Sequence, residues 1–262
     1  MEKTVILKTQ NLSIGYHSKK MQNSIASDIN LSLQKGKLIA LIGANGIGKS
    51  TLLRTITGIQ KPLSGEVLLD GKLISDYNSL QIAQQLSIVL TEKLPPSNLT
   101  VFELVALGRQ PYTNWVGKLT QTDLLKINEA LQLTQIEHLA SKKHFEISDG
   151  QLQKVLIARA IAQDTPLIIL DEPTTHLDLL HKVSLFKLLK KLASETQKCI
   201  LFSTHDIDLA IQLSDEMIVM IEGKTVQNVP EILIQHRVFD TLFQDENIIF
   251  DAHKHKFVFK NL

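Results

Sequence analysis

Gly43-Ala44-Asn45-Gly46-Ile47-Gly48-Lys49-Ser50-Thr51 follows the apolar run Leu38-Ile39-Ala40-Leu41-Ile42 and leads into Leu52-Leu53-Arg54-Thr55. The run reads as a buried strand and the residues after Gly48 as the start of a helix. Three glycines let the backbone turn so that successive N–H groups point inward, while the helix aims its positive end at the same place. Such a turn holds an anion. The spacing from Gly43 to Ser50 is the G-x-x-x-x-G-K-[ST] pattern, in which Lys49 reaches the β- and γ-phosphates and the Ser50 hydroxyl holds a bridging magnesium ion.

Working outward, 262 residues with 44% hydrophobic content support a well-buried core and exclude a disordered chain. Lys plus Arg total 28 against 27 Asp plus Glu, so no basic field points to nucleic acid or an anionic membrane surface. Cys199 is the single cysteine, which rules out an intrachain disulfide and fits a cytosolic chain. Met1-Glu2-Lys3-Thr4 lacks the blocks of a signal peptide, and no apolar stretch is long enough to span a bilayer. Any membrane role is expected to come through a partner.

Upstream of the loop, Val5 and Leu7, then Ile29, Leu31 and Leu33, alternate with polar residues and predict antiparallel strands. Downstream, Glu66-Val67-Leu68-Leu69 and Lys72-Leu73-Ile74 face each other across Asp70-Gly71, a hairpin dipeptide. From Ser79 to about Ala140 the pattern turns helical, broken at Pro95-Pro96 and from Pro111 to Gly117, and predicts a separate lobe. Leu167 to Leu170, Cys199 to Ser203 and Met217 to Ile221 then read as parallel strands buried on both faces. After Gly223 come a short helix over Glu231 to Gln235 and a hairpin of Ile248-Ile249-Phe250 with Phe257-Val258-Phe259.

Asp171 and Glu172 close the run Leu167-Ile168-Ile169-Leu170. Beside a phosphate loop, Asp171 can orient magnesium through a water and Glu172 can polarise the attacking water. Read alone, Asp171-Glu172-Pro173 is also an ordinary close of a strand. His205 follows Ile200-Leu201-Phe202-Ser203, at the sheet edge where open α/β folds bind ligands, in reach of a γ-phosphate. A lone histidine there is more often structural.

The order along the chain decides between these readings. The phosphate loop, Ile147-Ser148-Asp149-Gly150-Gln151, Leu170-Asp171-Glu172, Thr174-Thr175-His176-Leu177-Asp178 and Ser203-Thr204-His205-Asp206 together resemble the motif series of the ATP-binding cassette (ABC) family. The resemblance implies an α/β fold: a P-loop NTPase core with an N-terminal antiparallel β subdomain and an inserted α-helical subdomain. Its expected extents are 1–87 and 155–227 for the core, 88–154 for the helical subdomain and 228–262 for a C-terminal accessory segment. It implies an ATPase that uses ATP and Mg2+. The loop from Gly43 through Ala44, Asn45, Gly46, Ile47, Gly48, Lys49 and Ser50 to Thr51 would hold the phosphates. Ser50 and Asp171 would hold magnesium, Glu172 would activate water and His205 would steady the γ-phosphate.

By the same likeness, two copies form a head-to-tail homodimer around two ATP. Ser148, Gly150 and Gln151 would face the nucleotide of the other copy across a helix N-terminus. Asp178 matches the residue that crosses between copies, though it also reads as a plain helix cap. Tyr16 matches the aromatic that stacks on adenine, and reads equally as a core tyrosine. The implied partners are transmembrane permease subunits and, indirectly, a substrate-binding protein, with no nucleic acid. The implied place is the cytoplasmic face of the cell membrane.

Two departures stand out. Asp149 replaces the family's usual glycine, and its side chain is expected to turn back and cap the helix from Gln151 to Ala162, away from the nucleotide. Thr91 stands where the family has a magnesium-binding glutamine, so either the Thr91 hydroxyl or the neighbouring Glu92 carboxylate takes that place. The stretch Thr100 to Tyr112, with Trp115 and Gly117-Lys118-Leu119, resembles the helical lobe of importers for iron-siderophore, haem and cobalamin-type chelates. Tyr112 and Trp115 then suit either docking of a permease helix or a small satellite core. His253 and His255, alternating with Lys254 and Lys256, read as a solvated hairpin rather than a metal site. The implied function is the ATPase subunit of a chelate importer. The alternatives are a soluble cassette ATPase that remodels a cytosolic partner, and a nucleotide-gated module with weak hydrolysis.

Overall fold

The computed structural model describes residues 4–17, 22–90, 97–175, 177–242, 247–252 and 254–259. Its centre is a six-stranded sheet in the order β11 (Lys224–Asn228), β10 (Glu216–Ile221), β4 (Leu38–Gly43), β9 (Cys199–Ser203), β8 (Leu167–Leu170) and β7 (Leu86–Val89). All neighbours pair parallel except β11, which returns antiparallel on β10. Leu201 sits opposite Ile39 on one side and Ile169 on the other.

These strands are apolar without alternation because both faces are covered. On β4, Leu38, Ala40 and Ile42 enter a core shared with Val155, Phe186 and Phe202, whereas Ile39 and Leu41 enter a second core with Leu7, Leu52 and Leu69. The second core lies against an antiparallel sheet in the order β2 (Gln22–Ile29), β1 (Val5–His17), β5 (Ser64–Leu69) and β6 (Lys72–Leu73), with β3 (Ser32–Gln34) also on β1. Asp70 and Gly71, with φ of 49° and 77°, make the expected tight turn between β5 and β6.

Helix α1 (Lys49–Ile56) follows β4, and α2 (Ser79–Gln85) runs into β7. The lobe predicted from the sequence holds α3 (Val101–Ala106), a 3-10 turn over Leu107–Tyr112, and α4 (Gln121–Thr134), packed on α5 (Asp149–Ala162). The polypeptide then passes through β8, α6 (Leu179–Thr196), β9, α7 (Ile207–Leu213) and β10. After β11, α8 (Pro230–Gln235) and the hairpin of β12 (Ile248–Asp251) with β13 (Lys256–Phe259) complete the described chain. No described helix is long and apolar enough to cross a membrane.

Candidate functional site

Strands β4, β9 and β8 are neighbours in the sheet, so the loops after them open at one edge. That adjacency brings together residues 43–51, 171–172 and 205, which are far apart in sequence. Gly48 has φ 111°, and a Cβ there would lie 2.5 Å from Ile25 Cγ2, so the loop needs glycine on both conformational and steric grounds. Gly48 is also the N-cap of α1, where no side chain caps the helix. Helices α2 to α6 each have one, from Asn78, Thr100, Thr120, Ser148 and Asp178. The first amides of α1 therefore remain for a bound anion.

Lys49 is 6% exposed, and its Nζ donates to the carbonyl oxygens of Gly43 at 2.9 Å and Ala44 at 3.2 Å. Burial pulls this ammonium below its ordinary pKa, against the opposing pull of the Glu172 and Asp171 carboxylates. A desolvated cation beside free amides fits a polyphosphate. Ser50 is exposed next to it, while Thr51 is buried and shares a 3.1 Å hydrogen bond with the Tyr16 hydroxyl. Tyr16 is 54% exposed, so it is not a core tyrosine and its ring is open to solvent near the start of α1.

Asp171 is buried, and its N–H donates to the Val89 carbonyl at 2.8 Å, tying the end of β8 to β7. Glu172 adopts φ 49°, a left-handed conformation that an L-residue other than glycine enters at a cost, as often happens where a site dictates the turn. Ser203, at the end of β9, joins the two residues: its Oγ accepts the Glu172 N–H at 2.8 Å and donates to Asp171 Oδ1 at 2.6 Å. The sequence reading did not single out Ser203. Its signals are a hydroxyl closing the otherwise apolar run from Cys199 and its place directly before Thr204-His205. Glu172 Oε1 lies 2.6 Å from His205 Nε2, and its Oε2 accepts the Thr175 hydroxyl at 3.3 Å. Lys49, Asp171, Glu172 and His205 thus lie together.

The capping expectation for Asp149 is corrected. Ser148 is the N-cap of α5, accepting the Gln151 N–H at 3.3 Å, and the Gln151 side chain accepts the Ser148 N–H at 3.0 Å. The helix starts at Asp149, two residues earlier than expected. A cap needs the extended backbone that Ser148 has, with φ −72° and ψ 161°, and Asp149 is already helical. Its exposed carboxylate complements the positive end of the helix instead.

Asp178 does cap α6, accepting the His181 N–H at 2.9 Å, and its exposure leaves it open to further contacts. Gly150 packs near Leu177, so the starts of α5 and α6 lie side by side. Trp115 is 97% exposed and belongs to no satellite core, whereas Tyr112 rests on the Arg109 guanidinium, 4.0 Å from ring centroid to Cζ. Thr91, Glu92 and His253 lie outside the described residues. No group of three or more His, Cys, Asp or Glu gathers as a metal site among the described residues.

An amide cradle and a buried ammonium facing paired carboxylates, all at the ends of adjacent parallel strands, define a nucleoside triphosphatase. Comparison with known proteins gives its family. The family model for ABC transporters matches residues 26–175. An uncharacterised ABC transporter ATP-binding protein of Methanocaldococcus jannaschii is 42% identical over 92% of this chain and 82% of its own length. The iron(3+)-hydroxamate import ATP-binding protein of Bacillus subtilis is 38% identical over 95% of this chain and 92% of its own. Among solved structures, a dimeric ATP-binding cassette in a post-hydrolysis state with ADP and Pi superposes with a TM-score of 0.73, at 29% identity, over 86% of this chain and 99% of that one. The chain belongs to the ABC transporter family, as one of its ATPase subunits.

Proposed function

We propose that the chain works as one of two copies at the cytoplasmic face of the cell membrane. There, ATP closes the pair and hydrolysis reopens it, driving a permease that imports a metal chelate. The 38% identical hydroxamate-import relative supports the chelate class, as does the stretch from Thr100 to Leu119. The cleft between α2, the 3-10 turn and α5, about 540 Å3 and lined by Ile82, Leu107, Pro111, Arg159 and Gln163, has room for a permease helix. Trp115, nearly fully exposed, would add to that docking face.

In this reading the phosphates rest on the amides of residues 44–51 and on Lys49, which exchanges its carbonyl partners for phosphate oxygens. Tyr16 lies under the base. Ser50 and Asp171 offer hard oxygen donors suited to Mg2+, which supplies charge neutralisation on the phosphates when bound. The Glu172 carboxylate takes a proton from water as that oxygen attacks the γ-phosphorus. The bond to the bridging oxygen breaks, giving ADP and phosphate. His205, 2.6 Å from Glu172, holds that carboxylate in place. Ser148, Gly150, Gln151 and Asp178 face the second copy's nucleotide.

The convergence of Lys49, Asp171, Glu172 and His205 at adjacent strand ends is the observation that carries this reading. Replacing Glu172→Gln is expected to lower steady-state phosphate release at least about 100-fold while ATP still binds and promotes dimerisation. Release at the parent rate would remove Glu172 from its role.

A further inference from the structure

Along and just after α6, several lysines are neutralised: Lys182 meets Asp206 at 2.7 Å, Lys190 meets Asp215 at 3.2 Å and Lys198 meets Asp164 at 2.9 Å. One face of the helix differs. Leu180, Ser184, Lys187 and Lys191 recur at the spacing of a single helical stripe. That stripe walls a groove of about 450 Å3, with Lys154 of α5 and Gln135 at the end of α4 on its other side. The side chains of Lys154 and Lys187 make no ion pair or hydrogen bond among the described residues. Lys191 has a 3.9 Å contact with Glu195, both side chains being more than half exposed. None of the described residues lining the groove is acidic.

Three ammonium groups around one concavity repel each other, and Lys187 and Lys191 do so as an i,i+4 pair on one helix. An anion between them turns that cost into attraction. The lysines are not needed as helix caps, because the Leu131 and Gln132 carbonyls near the end of α4 already accept the Ile136 and Gln135 N–H groups. Nor do they belong to a generally basic surface, since the whole chain carries a net charge of only +1.

We infer that this groove binds a small soluble anion bearing two or more phosphate charges, held jointly by Lys154, Lys187 and Lys191. Lysine suits phosphate as a point charge on a flexible stem, so three of them close around an anion without a rigid fork. The Ser184 hydroxyl and the Gln135 amide add hydrogen-bond donors, and Leu180, 82% exposed, gives an apolar margin for a carbon skeleton. The groove shares no residue with the phosphate loop or with Asp171 and Glu172. Because Lys154 stands on α5 and the other two on α6, one ligand would tie these helices together. In the proposed dimer the starts of both helices face the second copy's nucleotide, so occupancy adjusts closure. That consequence rests on the proposed function, whereas the binding itself does not.

Calorimetric titration of inorganic tripolyphosphate into the full chain, with ADP saturating so that the phosphate loop is filled, tests this. The dissociation constant is expected on the order of 0.1–1 mM at about 0.1 M salt, weakening several-fold at about 0.5 M as the charges are screened. Replacing all three lysines, Lys154→Gln, Lys187→Gln and Lys191→Gln, should weaken binding at least about tenfold. That variant should melt at or above the parent temperature and bind ATP like the parent. Lys49→Ala should take up tripolyphosphate like the parent. A parent that binds none at about 10 mM, a triple variant that binds equally, or binding lost with Lys49→Ala, overturns the inference. Vesicles of phosphatidylcholine and phosphatidylglycerol identify the source of the phosphate: the chain should stay in the supernatant. Sedimentation with them that the triple variant abolishes would assign the lysines to a lipid headgroup and overturn a soluble ligand. Failure to bind ATP would sink the proposed function instead, and the tripolyphosphate result would still be scored.

Discussion

At the phosphate loop, α1 starts on Gly48 with no side-chain cap, Lys49 sits desolvated against two carbonyls, and Glu172 holds a left-handed backbone. In the helical lobe, α3, α4 and α5 each start on a full capping box, and Arg109 meets Asp123 at 2.8 Å with both side chains buried. Arg109 also donates to the Ala162 carbonyl at 2.8 Å, which fastens α5 to the lobe. The same kinds of group thus serve opposite ends. Where they are left short of partners they wait for a ligand, and where every partner is present they hold the lobe rigid. Substitutions should separate the two regions by what they damage.

The largest effect is expected in the lobe. Arg109→Met leaves the Asp123 carboxylate buried without its cation and should cost about 3–5 kcal/mol in urea unfolding, with ATP affinity of the folded protein within about twofold of the parent. The sign of its pH dependence follows. Burial pushes the Asp123 carboxyl up, but hydrogen bonds from Thr120 and the Arg109 guanidinium more than offset this and hold it below its usual range. A lowered folded pKa gives stability that is present above the unfolded value, near 3.9, and is lost as pH falls below it. Acid melts of the parent should therefore lose this contribution below about pH 4.

At the mouth the pattern reverses. Lys49→Ala should lower ATP affinity by roughly 100-fold or more, on the scale of losing one preorganised charge, while the nucleotide-free protein melts at or above the parent temperature. Its ammonium is a net burden in the free chain, since burial depresses its pKa. An affinity unchanged by calorimetry would break the contrast.

Two smaller tests probe the boundary between the regions, at the start of α5. Ser148→Ala should cost about 1 kcal/mol of stability, the worth of an N-cap, and in the proposed dimer it should also slow hydrolysis. Asp149→Gly loses a favourable dipole contact and should cost from a few tenths to about 1 kcal/mol. Because that carboxylate is exposed beside the surface that the proposed dimer turns toward a triphosphate, the same change should raise the phosphate-release rate. A slower rate would mean that Asp149 aids closure rather than opposing it.

Much of this was readable in advance because local rules coincide with the fold. Gly48-Lys49-Ser50 after an apolar run, Asp70-Gly71 between two short alternating runs, and the unbroken apolar strands ending at Leu170 and Ser203 each have one cheap conformation. What stayed hidden depends on contacts between distant segments. Ser203 became a bridge only when β9 lay beside β8, and Arg109 and Asp123 look like ordinary surface charges until the lobe closes over both. The misplaced cap at α5 had a different origin. Ser148 and Asp149 are both good capping residues, and only the backbone, extended at one and helical at the other, distinguishes them.

The Ser203 hydroxyl accepts from the peptide of one acidic residue and donates to the side chain of the other. In the proposed mechanism one oxygen atom therefore links the two carboxylates, so that a sideways displacement of the residue proposed to activate water drags on the one proposed to orient the metal. Departure of the cleaved phosphate and loosening of the cation should then register as a single event, not as two independent ones.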